Sequence, residues 1–303
     1  MLGVDWLEVS VQVDGEAAEA VSEVLNRYGR GGVVIEHLLT DGPGAHDRTD
    51  ELRVKAYLAA DDAALKRKVE EALWHLGQLY PIPEPVFHRL AEADWAEAWK
   101  QHYAVLHVGR RTVIVPRWLE YAPQAGEVVV TLDPGMAFGT GTHPTTRLCL
   151  DALERYVDRC GPDAGPTTVL DMGTGSGVLS ISAAKQGLAP VLALDIDELA
   201  VAAARENVRE NGVREQVAVG LGSQEAARGP YDLVLVNILA EVICALFDAG
   251  LADQVRPGGT VIASGIIDER EPDVRAAFEK SGLSVIDRLV ERDWVALVGH
   301  KAG

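Results

Sequence analysis

The chain has 303 residues, of which 48% are hydrophobic and 24% charged, the composition of a soluble globular protein long enough for two domains. Its formal net charge of −18, from 28 Lys and Arg against 46 Asp and Glu, disfavours naked RNA or DNA as the main partner because phosphate contacts need basic residues. No apolar run approaches the length of a membrane span, and the 3 Cys show no C-x-x-C pairing, so we expect a cytoplasmic protein. The 8 His lack the spacing of metal ligands, so we expect no metal.

Residues 1–91 have the pattern of a small α+β domain. Alternating apolar residues predict strands, and apolar residues at helical spacing predict helices. In chain order we expect a strand at 6–13, a helix at 16–28, strands from 33 and at 52–59, a helix from Asp61 or Asp62 to 79, and a strand at 86–90. This βαββαβ order is that of the ferredoxin-like arrangement, which hosts many unrelated functions.

Residues 92–109 predict a connector between two domains. Trp95 and Trp99 are spaced at i, i+4 on a short predicted helix. We expect the two rings to pack one domain against the other; a ligand-binding aromatic pair is the alternative.

Residues 110–303 predict an α/β domain around a mostly parallel sheet. Strands are expected at 112–116, 128–132, 169–170, 191–194, 216–220, 231–236, 260–264, 283–290 and 294–299. Helices are expected from Pro144 and at 178–184, 198–211, 238–251 and 272–281. A tight turn joins the last two strands, which predicts an antiparallel pair at the end of the sheet.

The most informative stretch runs from Val169 to Asp195. An apolar run ends in Asp171, glycines follow at 173, 175 and 177, and after a predicted helix a second apolar run ends on Asp195. This is half of a nucleotide-binding βαβ unit, in which glycines allow close backbone approach and the helix start presents unpaired N–H groups. Asp195 lies where a carboxylate can accept both hydroxyls of a ribose. A purely structural tight turn is the alternative.

The glycine spacing favours one class of cofactor. The dinucleotide fingerprint G-x-G-x-x-G needs a glycine where this chain has Val178. The pattern G-x-G-x-G after Asp171 resembles the first motif of S-adenosylmethionine-dependent methyltransferases. An acidic residue about 20 positions further on is shared by both classes, so Asp195 does not decide between them.

A second informative stretch, Asp133 to Arg147, reads DPGMAFGTGTHPTTR. Pro144 fits the first turn of a helix, so the hydroxyls of nearby threonines and the backbone N–H groups collect at a helix N-terminus. Such donors suit an anionic group, for example the carboxylate of S-adenosylmethionine. The alternative is a capping loop, in which Thr142 or His143 satisfies the first N–H groups of the helix.

Asn237 follows the predicted strand 231–236. The carboxyl end of a central strand is where open α/β sheets place their chemistry. Asn237 would equally serve as the N-cap of the predicted helix 238–251, and the sequence leaves both roles open.

These stretches together resemble one family. The loop DPGMAFGTGTHPTTRLCL (133–150), with DMGTGSG (171–177), DID (195–197) and VNILAE (236–241), is similar to the ribosomal protein L-eleven methyltransferases, the PrmA family of class I S-adenosylmethionine-dependent enzymes. The threonine-rich loop is the specific element, because the glycine motif is common to the whole class. The motifs cover roughly residues 94–299; over 1–91 the resemblance rests on element order.

The resemblance implies transfer of methyl groups from S-adenosylmethionine to lysine side chains, and to the N-terminal amine, of one large-subunit ribosomal protein, free or on the ribosome. It implies a ferredoxin-like substrate-recognition domain (1–91), a linker helix (92–109) and a Rossmann-like seven-stranded methyltransferase domain (110–303). We expect a monomer that binds neither a membrane nor a specific nucleic-acid sequence. The acidic charge suits a basic protein partner, although it suits solubility equally well.

Carried over position by position, the resemblance implies cofactor contacts from Thr146, Gly173, Asp195 and Asn237, with Phe138, Thr140 and Gly175 in the same two loops. Asp195 would hold the ribose hydroxyls, and Asn237 would lie beside the methyl group. We expect Asn237 to orient the amine and His143, or water, to accept its proton. Many related enzymes have an acidic residue after the third strand for the adenine amine. Here 220–223 reads GLGS, so the adenine contact is left open.

Three alternatives remain from the sequence. One is a methyltransferase of another protein or of a small amine. The second is an NAD-dependent oxidoreductase, which Val178 disfavours. The third is a ribosome-assembly factor that keeps the fold without catalysis.

Overall fold

The computed structural model describes residues 6–13, 15–26, 28–29, 33–37, 52–60, 62–79, 82–90, 104–133, 141–161 and 166–303. The chain divides into two compact units, Met1–Tyr103 and Ala104–Gly303. Residues 92–103 of the predicted linker, with Trp95 and Trp99, lie outside the described residues. Among the helices of the described ranges, none combines the length and the apolar character needed to cross a membrane.

The first unit contains a four-stranded antiparallel sheet whose apolar face packs against two helices. Its elements are β1 (Trp6–Val13), α1 (Gly15–Asn26), β2 (Val33–His37), β3 (Leu52–Ala59), α2 (Ala63–Leu79) and β4 (Val86–Leu90), and the strand order is β2-β3-β1-β4. Val9 of β1 shares a core with Val21 of α1 and Val69 of α2. Asp62 begins α2 by accepting a hydrogen bond from Leu65 N at 2.8 Å. The elements follow one another in the expected order; the assignment to the ferredoxin-like class stays a prediction.

The second unit alternates strands and helices along most of its length. Its elements are β5 (Leu106–Val108), β6 (Thr112–Pro116), β7 (Val128–Leu132), α3 (Pro144–Cys160), β8 (Val169–Met172), α4 (Val178–Lys185), β9 (Val191–Asp195), α5 (Glu198–Glu210), β10 (Val217–Leu221), β11 (Tyr231–Asn237), α6 (Ala240–Asp248), β12 (Val255–Ile267), α7 (Glu271–Lys280), β13 (Leu283–Glu291) and β14 (Trp294–Lys301).

Strands β8 to β14 form the central seven-stranded sheet, in the order β10-β9-β8-β11-β12-β14-β13. The first five strands of that order are parallel, and β14 pairs antiparallel with both β12 and β13. The central strands of this sheet are apolar on both faces because helices cover both faces. In β11, for example, four consecutive residues are fully buried: Leu233, Val234, Leu235 and Val236. This mixed sheet confirms the predicted α/β class and the terminal antiparallel pair.

Strands β5, β6 and β7 form a separate three-stranded sheet and do not join the central one. The buried carboxylate of Glu154, on α3, holds this sheet in place. It accepts hydrogen bonds from the backbone N–H groups of Arg110, Arg111 and Thr112 at 2.8, 3.1 and 2.8 Å. A buried carboxylate is tolerated here because several donors surround it.

Most predicted bounds lie within two residues of the observed ones, and two elements differ by more. The helix expected at 238–251 spans Ala240–Asp248, because Ile238 N donates to Ser264 O at 3.2 Å and so keeps the chain beside β12 for longer. The strand expected at 260–264 spans Val255–Ile267, since Val255 pairs with Tyr231 ahead of a register shift.

Candidate active site

The candidate site lies at the carboxyl edge of the central sheet, where β8 and β11 are neighbours. The chain order reverses there: β9 and β10 extend to one side of β8, and β12 lies on the other side of β11. Connections that leave in opposite directions open a crevice at such a switch point. Residues that end these strands, including Met172, Asp195 and Asn237, therefore share one edge.

A glycine turn joins β8 to α4 at this edge. Gly173, Gly175 and Gly177 have φ angles of 74°, 55° and 83°, values that side chains other than glycine rarely adopt. Backbone hydrogen bonds from Gly173 N and Thr174 N to Leu194 O, at 2.9 and 3.0 Å, fix the turn against β9. The three glycines are thus required by the backbone conformation of the turn.

Asp171 holds this turn from below. Its buried carboxylate accepts hydrogen bonds through Oδ2 from the hydroxyls of Thr174, at 2.7 Å, and Ser180, at 2.6 Å. Burial raises the pKa of Asp171, while these two hydrogen bonds act in the opposite direction. Its Oδ1 has no hydrogen-bond partner among the described residues.

Asp195 ends β9 beside the glycine turn. Its Oδ2 accepts a hydrogen bond from Gly175 N at 2.9 Å, and its Oδ1 accepts one from Asp197 N at 3.0 Å. A carboxylate offers about four acceptor sites, so Asp195 keeps the capacity to accept two further hydroxyl donors. That geometry suits the paired hydroxyls of a ribose.

Asn237 and Thr146 meet at the centre of the edge. The Nδ2 of Asn237 lies 3.4 Å from the Oγ1 of Thr146, which is fully buried in the first turn of α3. The Oδ1 of Asn237 is buried and accepts no hydrogen bond from any described residue. Asn237 is the last residue of β11 and does not cap α6, whose N-cap is Leu239. The structure therefore rules out the N-cap role, one of the two that the sequence left open.

Ile238 is wedged between two glycines. A Cβ on Gly173 would lie 2.6 Å from Cγ2 of Ile238, and a Cβ on Gly265 would overlap Ile238 O and lie 2.7 Å from its carbonyl carbon. Both glycines have positive φ, 74° and 87°. The peptide that follows Asn237 is therefore held between the glycine turn and β12.

His143 is the N-cap of α3, one of the alternatives open from the sequence. Its Nδ1 accepts a hydrogen bond from Thr145 N at 3.3 Å, and its ring packs edge-on against Trp294 with centroids 4.9 Å apart. Burial and, to a smaller extent, the positive charge of Arg147 together lower the pKa of His143 to about 4, although the negative charge of Glu291 acts in the opposite direction. The imidazole is therefore neutral at pH 7 and is a weak base.

The beginning of α3 is tied to the terminal hairpin by an ion pair. Arg147 donates from Nε to Oε2 of Glu291 at 3.0 Å, and a second, shorter bond joins its Nη2 to Oε1. The same guanidinium donates to Thr142 O. This two-point contact fixes the turn that presents Thr146 to Asn237.

Of the predicted site residues, the structure brings Thr146, Gly173, Gly175, Asp195 and Asn237 to one edge of the sheet. His143 lies three residues before Thr146, with Nδ1 in the cap. Phe138 and Thr140 lie outside the described residues. The described ranges contain no group of three or more His, Cys, Asp or Glu side chains that could hold a metal ion.

Two apolar side chains at this edge escaped prediction. Ile196, directly after Asp195, is 78% exposed, and Leu221, paired with Asp195 at the end of β10, is 51% exposed. Large apolar side chains left in solvent beside a polar site indicate a ligand with an apolar face. One signal for Ile196 was present in the sequence: an isoleucine stands between Asp195 and Asp197, at a position where the polar neighbours indicate exposure to solvent.

The described residues fit S-adenosylmethionine. Asp195 retains acceptor capacity for ribose hydroxyls, and the turn at Gly173 and Gly175 leaves the backbone open to a ligand. The Oδ1 of Asn237 is a buried acceptor without a hydrogen-bond partner among the described residues. Native proteins rarely leave a buried acceptor unpaired, so this oxygen indicates a donor from a ligand.

A family model and two relatives that are similar over nearly the whole chain carry one name. The family model for ribosomal protein L11 methyltransferase (PrmA) matches residues 5–302. A ribosomal protein L11 methyltransferase of Chloroflexus aurantiacus is 47% identical, with 99% of each chain covered. One of Herpetosiphon aurantiacus is 43% identical, over 98% of this chain and 99% of that protein. The chain belongs to the ribosomal protein L11 methyltransferase family.

A solved structure supports the same assignment. The crystal structure of a ribosomal protein L11 methylase from Lactobacillus delbrueckii subsp. bulgaricus has 33% identity and a TM-score of 0.58, covering 66% of this chain and all of that one. The resemblance seen in the sequence is thus confirmed, as are the Rossmann-like fold, the class of enzyme and the cofactor. The chain is a methyltransferase of this family, and S-adenosylmethionine is its methyl donor.

Proposed function

We propose that this chain transfers methyl groups from S-adenosylmethionine to amines of ribosomal protein L11, namely lysine side chains and the N-terminal amine. The names of the similar proteins supply the protein substrate. The observation that carries the chemistry is the buried, unpartnered Oδ1 of Asn237 at the switch point of the sheet. An acceptor there can bind an N–H of a neutral amine.

The cofactor would be held by the residues gathered at the edge. Asp195 would accept the ribose hydroxyls, the glycine turn at Gly173 and Gly175 would receive the adjoining part of the molecule, and Thr146 would donate to its amino-acid end. Phe138 and Thr140 stay in this set as predictions. The exposed side chains of Ile196 and Leu221 would cover the two faces of the adenine, in place of the acidic contact that is missing after β10.

When bound, S-adenosylmethionine would supply a methyl group bonded to a positively charged sulfur. A neutral amine would attack the carbon of that methyl group in line with the carbon–sulfur bond, which breaks. Lysine has a pKa near ~10.4, so the amine must reach the site without its extra proton. Asn237 would accept an N–H of this amine through Oδ1 and so direct the nitrogen lone pair. The wedge formed by Ile238 between Gly173 and Gly265 keeps that oxygen in register with the glycine turn.

The proton that the nitrogen loses has two candidate acceptors, water and His143. The Nδ1 of His143 caps α3, and the lowered pKa, about 4, makes the ring a weak base. These observations favour water, and the role of His143 stays a prediction with its own test below.

The N-terminal domain predicted from the sequence, residues 1–91, would recognise the protein substrate, and the chain would act as a cytoplasmic monomer without direct nucleic-acid binding. The formal charge of −18 supports a basic protein partner over a polyanion.

The test is calorimetric titration with S-adenosylmethionine and, separately, NADH, followed by intact-mass analysis after incubation with purified ribosomal protein L11. Binding of the methyl donor, with mass gains in steps of one methylene, is the expected result. Binding of S-adenosylmethionine without a mass gain of ribosomal protein L11 would indicate that the substrate is another protein or a small amine, or that the chain is a non-catalytic assembly factor. Binding of NADH alone would overturn the assignment.

The role of Asn237 is tested in the same assay. Asn237→Ala removes the only acceptor proposed for the amine, so we expect kcat to fall by at least ~100-fold, the size seen when one oriented polar contact is lost from an active site. Asn211→Ala, at the end of α5, is the control for removal of an asparagine amide. Wild-type turnover in Asn237→Ala would exclude this role.

A further inference from the structure

Asn207 is a buried asparagine on α5 whose amide lies between two segments of the site. It is 2% exposed. Its Nδ2 donates to Ser176 O, within the glycine turn, at 2.8 Å. Its Oδ1 lies 3.5 Å from Asp133 N, directly after the end of β7 and at the start of the threonine-rich stretch. One side chain thus contacts the backbone of both informative stretches of the sequence.

Asn211, one helical turn later, makes the corresponding contact with β7. Its Oδ1 accepts from Thr131 N at 2.9 Å, and its Nδ2 donates to Thr131 O at 2.6 Å. It also donates to Asn207 O at 2.8 Å. The two asparagines therefore bind residue 131 of β7 and residue 133 directly after it, and of the two only Asn207 also contacts the glycine turn.

The contact with Ser176 matters because of where it falls. Ser176 stands between Gly175, whose N–H binds Asp195, and Gly177, which precedes α4. A turn of three positive-φ glycines has few side chains of its own to hold its shape. An amide that fixes the Ser176 carbonyl fixes the peptide planes on either side of it. Burying an amide is unfavourable unless both ends are paired, and here each end faces a backbone group of the site.

We propose that Asn207 is a positioning residue for cofactor binding: it holds the glycine turn at a fixed distance from Asp133, the residue that follows β7. This inference rests on the proposed function of the site. It predicts that removal of the amide weakens binding of the methyl donor without altering the protein substrate site or the methyl-transfer step.

The experiment measures steady-state kinetics and calorimetric Kd for S-adenosylmethionine in wild type, Asn207→Ala and Asn207→Leu. Leucine has nearly the shape of asparagine, so this variant preserves packing if the alanine variant does not fold. We expect KM and Kd for the methyl donor to rise about tenfold, the scale of one lost hydrogen bond with a buried carbonyl. The value of kcat should stay within about twofold, and KM for the protein substrate should not change.

Asn211→Ala is the matched control, because it removes the same amide from the same helix without touching the glycine turn. It should lower Tm while leaving KM for S-adenosylmethionine at the wild-type value. A fall in Tm without a change in KM for the Asn207 variants would overturn the proposal, and so would an equal rise in KM for Asn211→Ala. Failure of the wild-type chain to bind S-adenosylmethionine would instead overturn the proposed function on which the inference rests.

Discussion

The amide of Asn237 lies 3.4 Å from the hydroxyl of Thr146, although 91 residues separate them in the sequence. This contact joins the end of β11 to the first turn of α3. It places Thr146, near the end of the threonine-rich stretch, at the switch point of the central sheet. Two of the family motifs, 133–150 and 236–241, are therefore in contact through these two residues, and changes that separate them should impair catalysis.

Gly265 is expected to be intolerant of any side chain. In Gly265→Ala, the new Cβ would overlap the carbonyl of Ile238 and strain a backbone with φ of 87°. We expect a loss of ~3 kcal/mol in the free energy of unfolding. Displacement of the neighbouring Asn237 should also lower kcat by ~100-fold. Chemical denaturation and steady-state kinetics measure the two effects.

Gly258→Ala is the control for this substitution. Gly258 lies on the same strand with φ of 77°, but a Cβ there meets no atom within 4 Å. Only backbone strain of ~1 kcal/mol is expected, with wild-type kcat. Equal effects of the two substitutions would show that strain alone, and not the contact with Ile238, makes Gly265 necessary.

Asp195→Asn should weaken the cofactor site. The carboxylate accepts hydrogen bonds from Gly175 N and Asp197 N on its two oxygens, and an amide can accept on one side only. Loss of the charge also weakens its bonds to ribose hydroxyls, so we expect KM for S-adenosylmethionine to rise ~10- to 100-fold.

Asp197→Asn provides the comparison for Asp195→Asn. Asp197 caps α5 by accepting from Leu199 N at 2.9 Å, and asparagine caps a helix about as well. Its KM for the methyl donor should match the wild type. A comparable rise in KM for both variants would argue against a specific ribose contact at Asp195.

His143→Asn separates capping from proton transfer, because asparagine is a good N-cap but not a base. We expect the variant to keep kcat within about threefold, since water is the favoured acceptor; a loss of ~100-fold or more would instead identify His143 as the base. Activity measured across pH 6 to 9 decides between these results.

The same substitution should change the dependence of stability on pH. His143 has a pKa lowered to about 4 in the folded chain, against an ordinary value of 6.5. Between these values the unfolded chain binds more protons, so stability falls as pH drops from 6.5 towards 4. Denaturation at pH 7 and pH 4.5 should show a smaller decrease in His143→Asn than in the wild type. Equal decreases would mean that the folded ring titrates normally.

Glu291→Ala should destabilise the chain more than Asp287→Ala. Both carboxylates bind arginines of α3, but Glu291 makes a two-point contact with Arg147, whereas Asp287 lies 3.5 Å from a single nitrogen of the more exposed Arg155. We expect a loss of ~2 kcal/mol for Glu291→Ala and under ~1 kcal/mol for Asp287→Ala. Urea denaturation of both variants at low and high salt gives the comparison, and equal losses would contradict it.

Local sequence patterns were enough for much of this protein. Apolar periodicity placed most strands and helices of both units, because burial on one or two faces imposes periods of 2 or 3.6 on the chain itself. It missed β5 (Leu106–Val108), which lies within the predicted linker helix 92–109. The glycines at 173, 175 and 177 predicted a tight ligand turn, since only that backbone conformation requires them. The threonine-rich stretch identified the family.

Tertiary structure alone decided what depends on contacts between distant segments. Asn237 belongs to a strand and not to a helix cap because Ile238 N donates to Ser264 O and keeps the chain beside β12. The local sequence around Asn237 does not reveal this distant partner. The lowered pKa of His143 depends on burial of a ring that packs against Trp294, from the far end of the chain. Asn207 looked like an ordinary helix residue until the fold set Ser176 and Asp133 on either side of it. Short-range sequence patterns indicate which faces of a helix or strand are buried. The hydrogen-bond partners, the desolvation and the orientation of a side chain depend on distant segments that come together only in the folded chain.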